Sequence, residues 1–298
     1  MVLDYLLFTH KLCKGDHLYP VTGAGLGLRR DFMREFEALD NSNVDFMEVA
    51  PENWLPFGGH LEQVFAQYAE RFPFVIHGLS LSIGSPSPLN TDFIKDVAAF
   101  IKKYNIRCYS EHLSYCSDDG QMYDLMPIPF TEEAVHYVAD RIKQVQDIIG
   151  QRLAMENVSY YAAPGQEISE IEFFKAVVAE ADCDILLDIN NIYVNSINHR
   201  YDPKEFLLEL PKERVAYSHI AGHYDEADDL KVDTHGADVK DDVWSLLEVA
   251  YQHFGVFPTL LERDFNIPAM PQLLSEVDKI KALQEKYSHS SAAQPAIA

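Results

Sequence analysis

Side chains of the types that bind metal ions stand at the ends of short apolar runs throughout this 298-residue sequence. The residues that close these runs are His77, His112, Glu156, Asp188, His219 and Glu262. Asp233 and His235 follow in an Asp-Thr-His motif, and Asn191 stands three positions after Asp188. Imidazole and carboxylate groups without thiolates suit zinc, iron or manganese rather than an iron–sulfur cluster.

The runs that carry these residues alternate with longer segments of helical periodicity. The runs are compact and mostly apolar, as parallel strands covered on both faces are. They span residues 22–28, 45–49, 74–78, 108–113, 153–158, 185–189, 215–220 and 259–263. The helical segments span residues 31–39, 61–71, 91–104, 131–149, 170–181, 203–210, 239–254 and 269–287. Eight strands alternating with eight helices predict an α/β fold closed into a (β/α)8 TIM barrel.

An open, doubly wound sheet is the alternative fold for the same alternation of strands and helices. Such a sheet often carries a GxGxxG turn after its first strand, where it binds a dinucleotide. Gly23, Gly25 and Gly27 do not have that spacing. The closed barrel is therefore the fold that we expect.

The carboxyl ends of the strands of a parallel barrel meet at one mouth, where barrel enzymes hold their active sites. Five histidines and four carboxylates would converge there: His77, His112, His219, His223, His235, Glu156, Asp188, Asp233 and Glu262. Acids packed so closely repel one another and take up protons unless cations neutralise them. Because these ligands outnumber what one ion needs, we expect a cluster of two or three metal ions.

Other polar residues near the predicted strand ends have possible roles other than metal binding. Glu48, Glu52 and Asn53 follow the second strand, and they either line the mouth or cap a helix and support a ligand. Residues 78–84 are rich in glycine and serine, which suits an anion-binding nest and an ordinary loop equally well.

The composition predicts one barrel domain at residues 21–287. Residues 1–20 fit neither a helix nor a strand, so they are interpreted as an N-terminal extension. Residues 288–298 are small and polar with one proline, which is typical of a disordered tail. The four cysteines lack CxxC spacing, which indicates reduced, buried thiols rather than a disulfide framework or a zinc ribbon.

The charge and the hydropathy of the chain exclude several partners. Its net charge is −23, and affinity for nucleic acid comes largely from Lys and Arg, so DNA and RNA are poor substrates. No segment approaches about 18 consecutive apolar residues, so no transmembrane helix is predicted. The apolar start carries Asp4 where a signal peptide has a basic residue. We therefore expect a cytoplasmic protein that binds neither nucleic acid nor membrane.

The order of the candidate ligands resembles that of the xylose-isomerase-like TIM barrels. Their spacing is most similar to that of the trinuclear zinc enzyme endonuclease IV. Asn191 stands where that enzyme has a histidine. This amide and the acidic surface argue against DNA repair, and a third metal would be held more weakly by an amide than by an imidazole.

A second resemblance covers roughly residues 20–280. The motifs are GAGLGLR at 23–29, EVAPENW at 48–54, HGLSLSIG at 77–84, SEHLS at 110–114, MENVS at 155–159, DINNIYVNSINH at 188–199, HIAGH at 219–223, DTHG at 233–236 and LERD at 261–264. In this order they are similar to the multinuclear non-haem iron-dependent oxidative enzymes, the family that includes the iron subunit of methanobactin biosynthesis. These enzymes use two or three irons and dioxygen to oxidise residues, often cysteine, in a ribosomally made precursor peptide.

The resemblance also implies ligands and partners for this chain. One iron would be held by His77, His112 and Glu156; a second by Glu156 as a bridge with Asp188, His219 and Glu262; and a third, more weakly, by Asn191, Asp233 and His235. The implied partners are a Cys-containing precursor peptide and a protein that presents its leader. A substrate thiolate bound to iron would have a lowered pKa and would lie beside dioxygen.

Two other functions stay open at this stage. A zinc- or manganese-dependent hydrolase or isomerase of a phosphorylated sugar or related metabolite would use the same ligands. It would also need a basic phosphate clamp, for which Arg29, Arg107 and Arg263 are the candidates near strands. A binding or scaffold protein with a degenerate site is the third possibility, and the presence of nearly every ligand type counts against it.

Overall fold

The computed structural model describes residues 19–30, 33–40, 42–118 and 120–291 of the chain. Within them, eight parallel strands close into a barrel, which confirms the predicted fold class. The barrel strands are β1 (Ala24–Gly27), β2 (Phe46–Val49), β3 (Phe74–Gly78), β4 (Tyr109–His112), β7 (Leu153–Glu156), β8 (Asp184–Asp188), β9 (Val215–Ile220) and β12 (Thr259–Leu261). Strand β1 pairs in parallel with both β2 and β12, and these two pairings close the barrel.

Helices connect successive strands. They are α1 (Met33–Glu37), α2 (His60–Arg71), α3 (Thr91–Tyr104), α4 (Glu132–Ile149), α5 (Glu170–Ala181), α6 (Ile189–His199), α7 (Pro203–Glu209), α8 (Asp241–Phe254) and α9 (Met270–Ser291). Side chains cap several of them: Thr131 accepts a hydrogen bond from the amide of Ala134, and Ser169 forms a reciprocal capping box with Glu172. No helix in the described part of the chain is both long and apolar enough to cross a membrane.

The predicted and observed elements differ in two places at the mouth and in one at the end of the chain. Two antiparallel hairpins, β5 (Ser114–Ser117) with β6 (Gln121–Pro127) and β10 (Tyr224–Ala227) with β11 (Leu230–Val232), follow β4 and β9. Helix α6 begins directly at the end of β8, where the sequence predicts no helix. Helix α9 continues to Ser291, and within it the Ser288 hydroxyl donates a hydrogen bond to the Gln284 carbonyl. Most of the predicted extension (1–20) and of the predicted tail (288–298) lies outside the described residues; residues 288–291 belong to α9 instead.

The inner layer of the barrel separates the mouth from the opposite end. It consists of buried side chains from successive strands: Val21, Phe46, Val75, Cys108, Ala154, Leu186, Ala216, Tyr217 and Leu260. Because side chains alternate across a strand, the residues two positions later also point inward, one level nearer the mouth. That next level contains Glu48, His77, Glu156, Asp188 and Glu262. The apolar layer is therefore the floor of a polar site.

A buried carboxyl outside the barrel gives the fold a measurable pH dependence. Glu170 begins α5, and its carboxylate accepts hydrogen bonds from the Tyr160 hydroxyl at 3.0 Å and the Asn195 amide at 3.1 Å. Although the residue is partly accessible, its carboxyl group is enclosed. Burial raises the pKa of Glu170 to about 7, against the opposing effect of these hydrogen bonds. A carboxyl that holds its proton more tightly in the folded state makes folding less favourable as pH rises from about 4.5 to 7.

We therefore expect Glu170→Gln to stabilise the protein at pH 8 by about 1–2 kcal/mol, less than the full linkage value because the site is partly accessible. The advantage should disappear near pH 3.5, about one unit below the usual pKa of a glutamate, where the wild-type carboxyl is protonated in both states. Urea unfolding at the two pH values measures the difference. The exposed Glu172, whose pKa is lowered by its hydrogen bonds with Ser169, is the control. Glu172→Gln should lose stability at pH 8, and an equal response of the two variants would contradict this prediction.

Candidate metal centre

The predicted ligands lie together at the carboxyl ends of the barrel strands. His112, Glu156 and Asp188 are the last residues of β4, β7 and β8. His77 and His219 are the penultimate residues of β3 and β9, and Glu262 directly follows β12. All of these side chains are buried except His112, which is largely enclosed.

The first group consists of His77, His112 and Glu156. The Nε2 atoms of the two histidines lie 3.2 Å apart, and each lies 3.2–3.3 Å from Oε2 of Glu156. The opposite nitrogen of each ring is already bonded: Nδ1 of His77 to Ser110 Oγ at 2.9 Å, and Nδ1 of His112 to the Gly78 carbonyl at 3.0 Å. A carbonyl accepts only, so the His112 Nδ1 carries the proton and its Nε2 presents a lone pair to the group.

The second group shares Glu156 with the first. Its other members are Asp188, His219 and Glu262, and Glu156, Asp188 and His219 place one ligand atom each within 4.8 Å of one another. Nδ1 of His219 lies 3.0 Å from Glu262 Oε2 and 3.9 Å from Asp188 Oδ2. Glu156 therefore stands between two groups of ligand atoms, in the position of a bridging carboxylate.

The third group is less compact. His235 lies 2.7 Å from Asp233, through its Nε2, and 3.4 Å from Glu262, through its Nδ1. Asp233 already accepts hydrogen bonds from Ser159 at 3.0 Å and Asn190 at 2.9 Å, and the compact set of ligand atoms around His235 contains Asp188 and Glu262 rather than Asp233. Asp233 is thus beside the cluster with its oxygens partly occupied.

Asn191 faces the same cluster from α6. Its Nδ2 donates to Glu156 Oε1 at 3.2 Å, while its Oδ1 is turned to the interior. Asp188 is the N-cap of α6 and accepts the amide of Asn191 at 2.6 Å through Oδ1, which leaves Oδ2 for the cluster. The helix start therefore positions both residues.

Buried ligand atoms without partners test whether this cluster suits metal ions. Among the described residues, six such atoms of the cluster form no hydrogen bond of normal geometry: Glu156 Oε2, Asp188 Oδ2, Asn191 Oδ1, His219 Nδ1, His235 Nε2 and Glu262 Oε2. A buried polar atom left unpaired costs about 1–3 kcal/mol, and more if it is charged. All six face one cluster made only of carboxylate, imidazole and amide groups, so the residues fit divalent or trivalent cations.

The charges of the cluster are strongly coupled. Burial lowers the pKa of His77, but attraction to Glu156 outweighs burial and raises the pKa to about 9. For Glu156, burial is outweighed by His112 and His77, which lower its pKa to about 2. Burial and repulsion by Glu156 raise the pKa of Asp188 well above its usual value. Protons and metal ions compete for these atoms, so metal binding releases protons and tightens as pH rises.

The structure also shows the positions of Glu48, whose role the sequence left open, and of His223, which the sequence assigned to the mouth. Glu48 lies inside the barrel, with Oε2 3.0 Å from Nε2 of His219, rather than capping a helix. The alternation of side chains along β2 was the available signal, since it puts Glu48 on the same face as Phe46. His223 is outside the ligand groups: its Nδ1 contacts Asn190 at 2.8 Å, and its ring stacks on Tyr193.

A cavity of about 250 Å³ opens beside the ligands. His77, Glu48 and Glu262 form its inner wall, and Arg29, Val49, Ala50, Asn53, Leu79, Asp264 and Phe265 form the rest. Arg29 pairs with Asp264, which also contacts Nδ1 of His235 at 3.1 Å. The rim carries two exposed apolar side chains, Leu79 and Phe265. The cavity therefore connects the ligand cluster to solvent through a partly apolar entrance.

Solved structures of low sequence identity share this barrel. A D-tagatose 3-epimerase-like protein matches 91% of this chain and 100% of its own with a TM-score of 0.62 and 13% identity. Endonuclease IV from Thermus thermophilus matches 89% of this chain and 100% of its own with a TM-score of 0.57 and 17% identity. At these identities the likeness concerns the fold alone.

Sequence relatives are much closer. A UPF0276 protein of Shewanella sediminis is 60% identical over 260 residues, which cover 87% of this chain and 94% of the relative. A UPF0276 protein of Alcanivorax borkumensis is 58% identical over 279 residues, covering 90% and 93%. The model of a family described as the RiPP precursor modification enzymes MbnB/TglH/ChrH, where RiPP denotes a ribosomally synthesised and post-translationally modified peptide, matches residues 23–285. The resemblance found in the motifs is confirmed: this chain belongs to the MbnB/TglH/ChrH family of RiPP precursor modification enzymes.

Proposed function

We propose that this protein is a multinuclear iron enzyme that uses dioxygen to oxidise a cysteine of a ribosomally made precursor peptide. The observation that carries the proposal is the set of six buried, unpartnered ligand atoms at the mouth of a barrel from a peptide-modifying family. Such a donor set without thiolates suits iron, and it also suits zinc or manganese. The family and the motifs favour iron.

The geometry of the groups supports the first two sets of ligands below, and the family resemblance implies the third. His77, His112 and Glu156 would hold the first ion; Glu156, Asp188, His219 and Glu262 the second; and Asn191, Asp233 and His235 the third. The third would be the weakest, because Asn191 supplies a neutral amide and Asp233 already accepts two hydrogen bonds. When bound, iron supplies the redox chemistry that dioxygen requires and a coordination position for a thiolate.

The cavity fits the entry of a peptide side chain. Its entrance, between Leu79 and Phe265, offers apolar contact to a peptide segment, and its inner wall at His77 and Glu262 adjoins the first and second groups. A cysteine side chain reaching this wall would leave its backbone at the entrance. A leader-presenting partner protein would bind outside the cavity and hold the peptide in that register.

The alternative, a zinc or manganese enzyme acting on a phosphorylated sugar or related metabolite, lacks support for its phosphate clamp. Arg107 is exposed and precedes β4, at the end of the barrel away from the mouth. Arg263 is buried in ion pairs with Asp238 and Glu276. Arg29 alone reaches the cavity, and Asp264 neutralises it.

Metal analysis of protein purified without oxygen tests the proposal. We expect two or more equivalents of iron and a Mössbauer spectrum that changes when dioxygen is admitted. A short Cys-bearing reading frame and one for a small partner protein should lie beside the gene, and incubation with that peptide and dioxygen should change the mass of the peptide. Zinc in all sites, with no spectral response to dioxygen and no change in the peptide, would refute the proposal.

A further inference from the structure

A chain of buried polar groups runs beneath the ligand cluster. It links Nδ1 of His77 to Ser110 Oγ at 2.9 Å, Ser110 Oγ to the Tyr217 hydroxyl at 2.6 Å, and that hydroxyl to Glu48 Oε2 at 2.7 Å. The same Oε2 atom lies 3.0 Å from Nε2 of His219. All five residues are buried, which strengthens the hydrogen bonds between them. One chain therefore joins a histidine of the first metal group to a histidine of the second.

The direction of every hydrogen bond in this chain follows from one carboxylate. The Tyr217 hydroxyl donates to Glu48 Oε2, and the same acceptor oxygen takes the Nε2–H of His219. With its hydrogen committed to Glu48, the Tyr217 oxygen accepts from Ser110, whose contact with the Ile76 carbonyl is longer, at 3.2 Å. The Ser110 oxygen then accepts from Nδ1–H of His77.

These directions determine which ring nitrogen of each histidine is free. When metal binding displaces the protons of the cluster, His77 keeps Nδ1–H and presents Nε2, the atom that lies 3.3 Å from Glu156 Oε2. His219 keeps Nε2–H and presents Nδ1, the atom that lies 3.0 Å from Glu262 Oε2. The two histidines need opposite tautomers, and the chain imposes the required one on each.

We propose that Glu48 and Tyr217 are positioning residues, which fix the metal-binding nitrogens of His77 and His219 together and so prepare the first and second ion sites as one unit. The proposal rests on the metal centre of the proposed function and goes beyond it, because neither residue belongs to the three ligand groups assigned there. Glu48 also lies within 4.8 Å of ligand atoms of His219 and Glu262, but its Oε2 is already engaged by the Tyr217 hydroxyl and by Nε2 of His219. Hydrogen bonds of this kind to the far nitrogen of a metal-binding histidine orient the ring and raise its basicity.

Three variants separate the contributions of Glu48 and Tyr217 to metal binding. Glu48→Gln keeps the size of the side chain, but a neutral amide no longer forces both neighbours to donate. Tyr217→Phe cuts the chain between Ser110 and Glu48 and leaves the contact between Glu48 and His219 in place. Tyr251→Phe is the matched control, since it also removes a buried tyrosine hydroxyl, one that contacts Thr259 Oγ1 at 2.6 Å outside the chain.

The measurement is a chelator-competition titration of the metal-free protein with Zn²⁺. We expect Glu48→Gln to weaken two binding steps by about 10–100-fold each, Tyr217→Phe to weaken one step by about 10-fold, and Tyr251→Phe to leave all steps unchanged. Long-range ¹H–¹⁵N spectra of the zinc-loaded wild type should show zinc bonded to Nε2 of His77 and Nδ1 of His219.

Two results overturn the inference, and they are distinguishable. If the wild type binds no Zn²⁺, both the metal centre and the proposed function are refuted. If the wild type binds Zn²⁺ but Glu48→Gln and Tyr217→Phe bind it equally tightly, or if zinc is bonded to Nε2 of His219, only the positioning role is refuted.

Discussion

We expect Glu156→Ala to weaken metal binding at the first and second sites by at least about 100-fold, since changes that only support a ligand already cost 10–100-fold. Glu156 is the residue that the two groups share, and its Oε2 lies within 3.3 Å of Nε2 of both His77 and His112. No other carboxylate in the described part of the chain approaches both histidines so closely. Iron or zinc per chain after anaerobic loading and desalting measures the effect.

The control for this substitution is Glu180→Ala. Glu180 also lies beside a histidine, 2.8 Å from Nδ1 of His136, but on the surface. The Glu156 variant should remain folded without metal, because the lost attraction to His77 and His112 is offset in part by relief of the repulsion between Glu156 and Asp188. Circular dichroism checks that it is folded. Full metal content in folded Glu156→Ala protein would exclude the ligand groups described above.

Gly222→Ala is expected to lower the free energy of unfolding by about 1–3 kcal/mol, the usual cost of overpacking a rigid interior. Gly222 follows β9, and a Cβ there would overlap the carbonyl of Ala237 and lie 2.6 Å from the carbonyl oxygen of Asp238. These are backbone atoms, so the segment that carries His235 would have to move. The variant should also lose the weakest metal equivalent and keep the equivalent bound by His77, His112 and Glu156.

Denaturant unfolding of the metal-free protein separates the packing effect from the metal effect. Gly58→Ala is the matched control, since the nearest atom to a Cβ there is the flexible Glu62 carboxylate at 3.7 Å. That change should alter stability by less than about 1 kcal/mol, through the unfolded chain alone. Unchanged stability and unchanged stoichiometry in Gly222→Ala would show that the loop tolerates the overlap.

The barrel and most of the cluster could be predicted from the sequence because both depend on local patterns. Short apolar runs mark buried parallel strands, and polar residues at their ends, such as His112 and Glu156, must meet at one mouth. Helix α6 was missed because its asparagine-rich sequence has low helix propensity, and the Asp188 cap with tertiary packing overrides that propensity. Strand β10 was missed because its residues are all exposed and carry no apolar pattern.

The finer arrangement of the site depends on contacts between distant segments, which one sequence does not contain. The pairing of Glu48 with His219 joins β2 to β9, and the hydrogen bond from Ser159 to Asp233 joins two loops. Alternation along β2 indicates that the Glu48 side chain points into the barrel. Only the closed barrel shows that His219 is the side chain that faces it across the interior.

The order of the ligands along the chain has a consequence for how the protein is made. Glu262 comes about 100 residues after Glu156, which the ribosome needs roughly 5–20 s to synthesise at about 5–20 residues per second. During that interval the nascent chain already contains His77, His112 and Glu156, whereas β12, which closes the barrel, has yet to be translated. The second ion site, which needs Glu262, can therefore form only after β12 has been translated, and an ion bound earlier would meet His77, His112 and Glu156 without it.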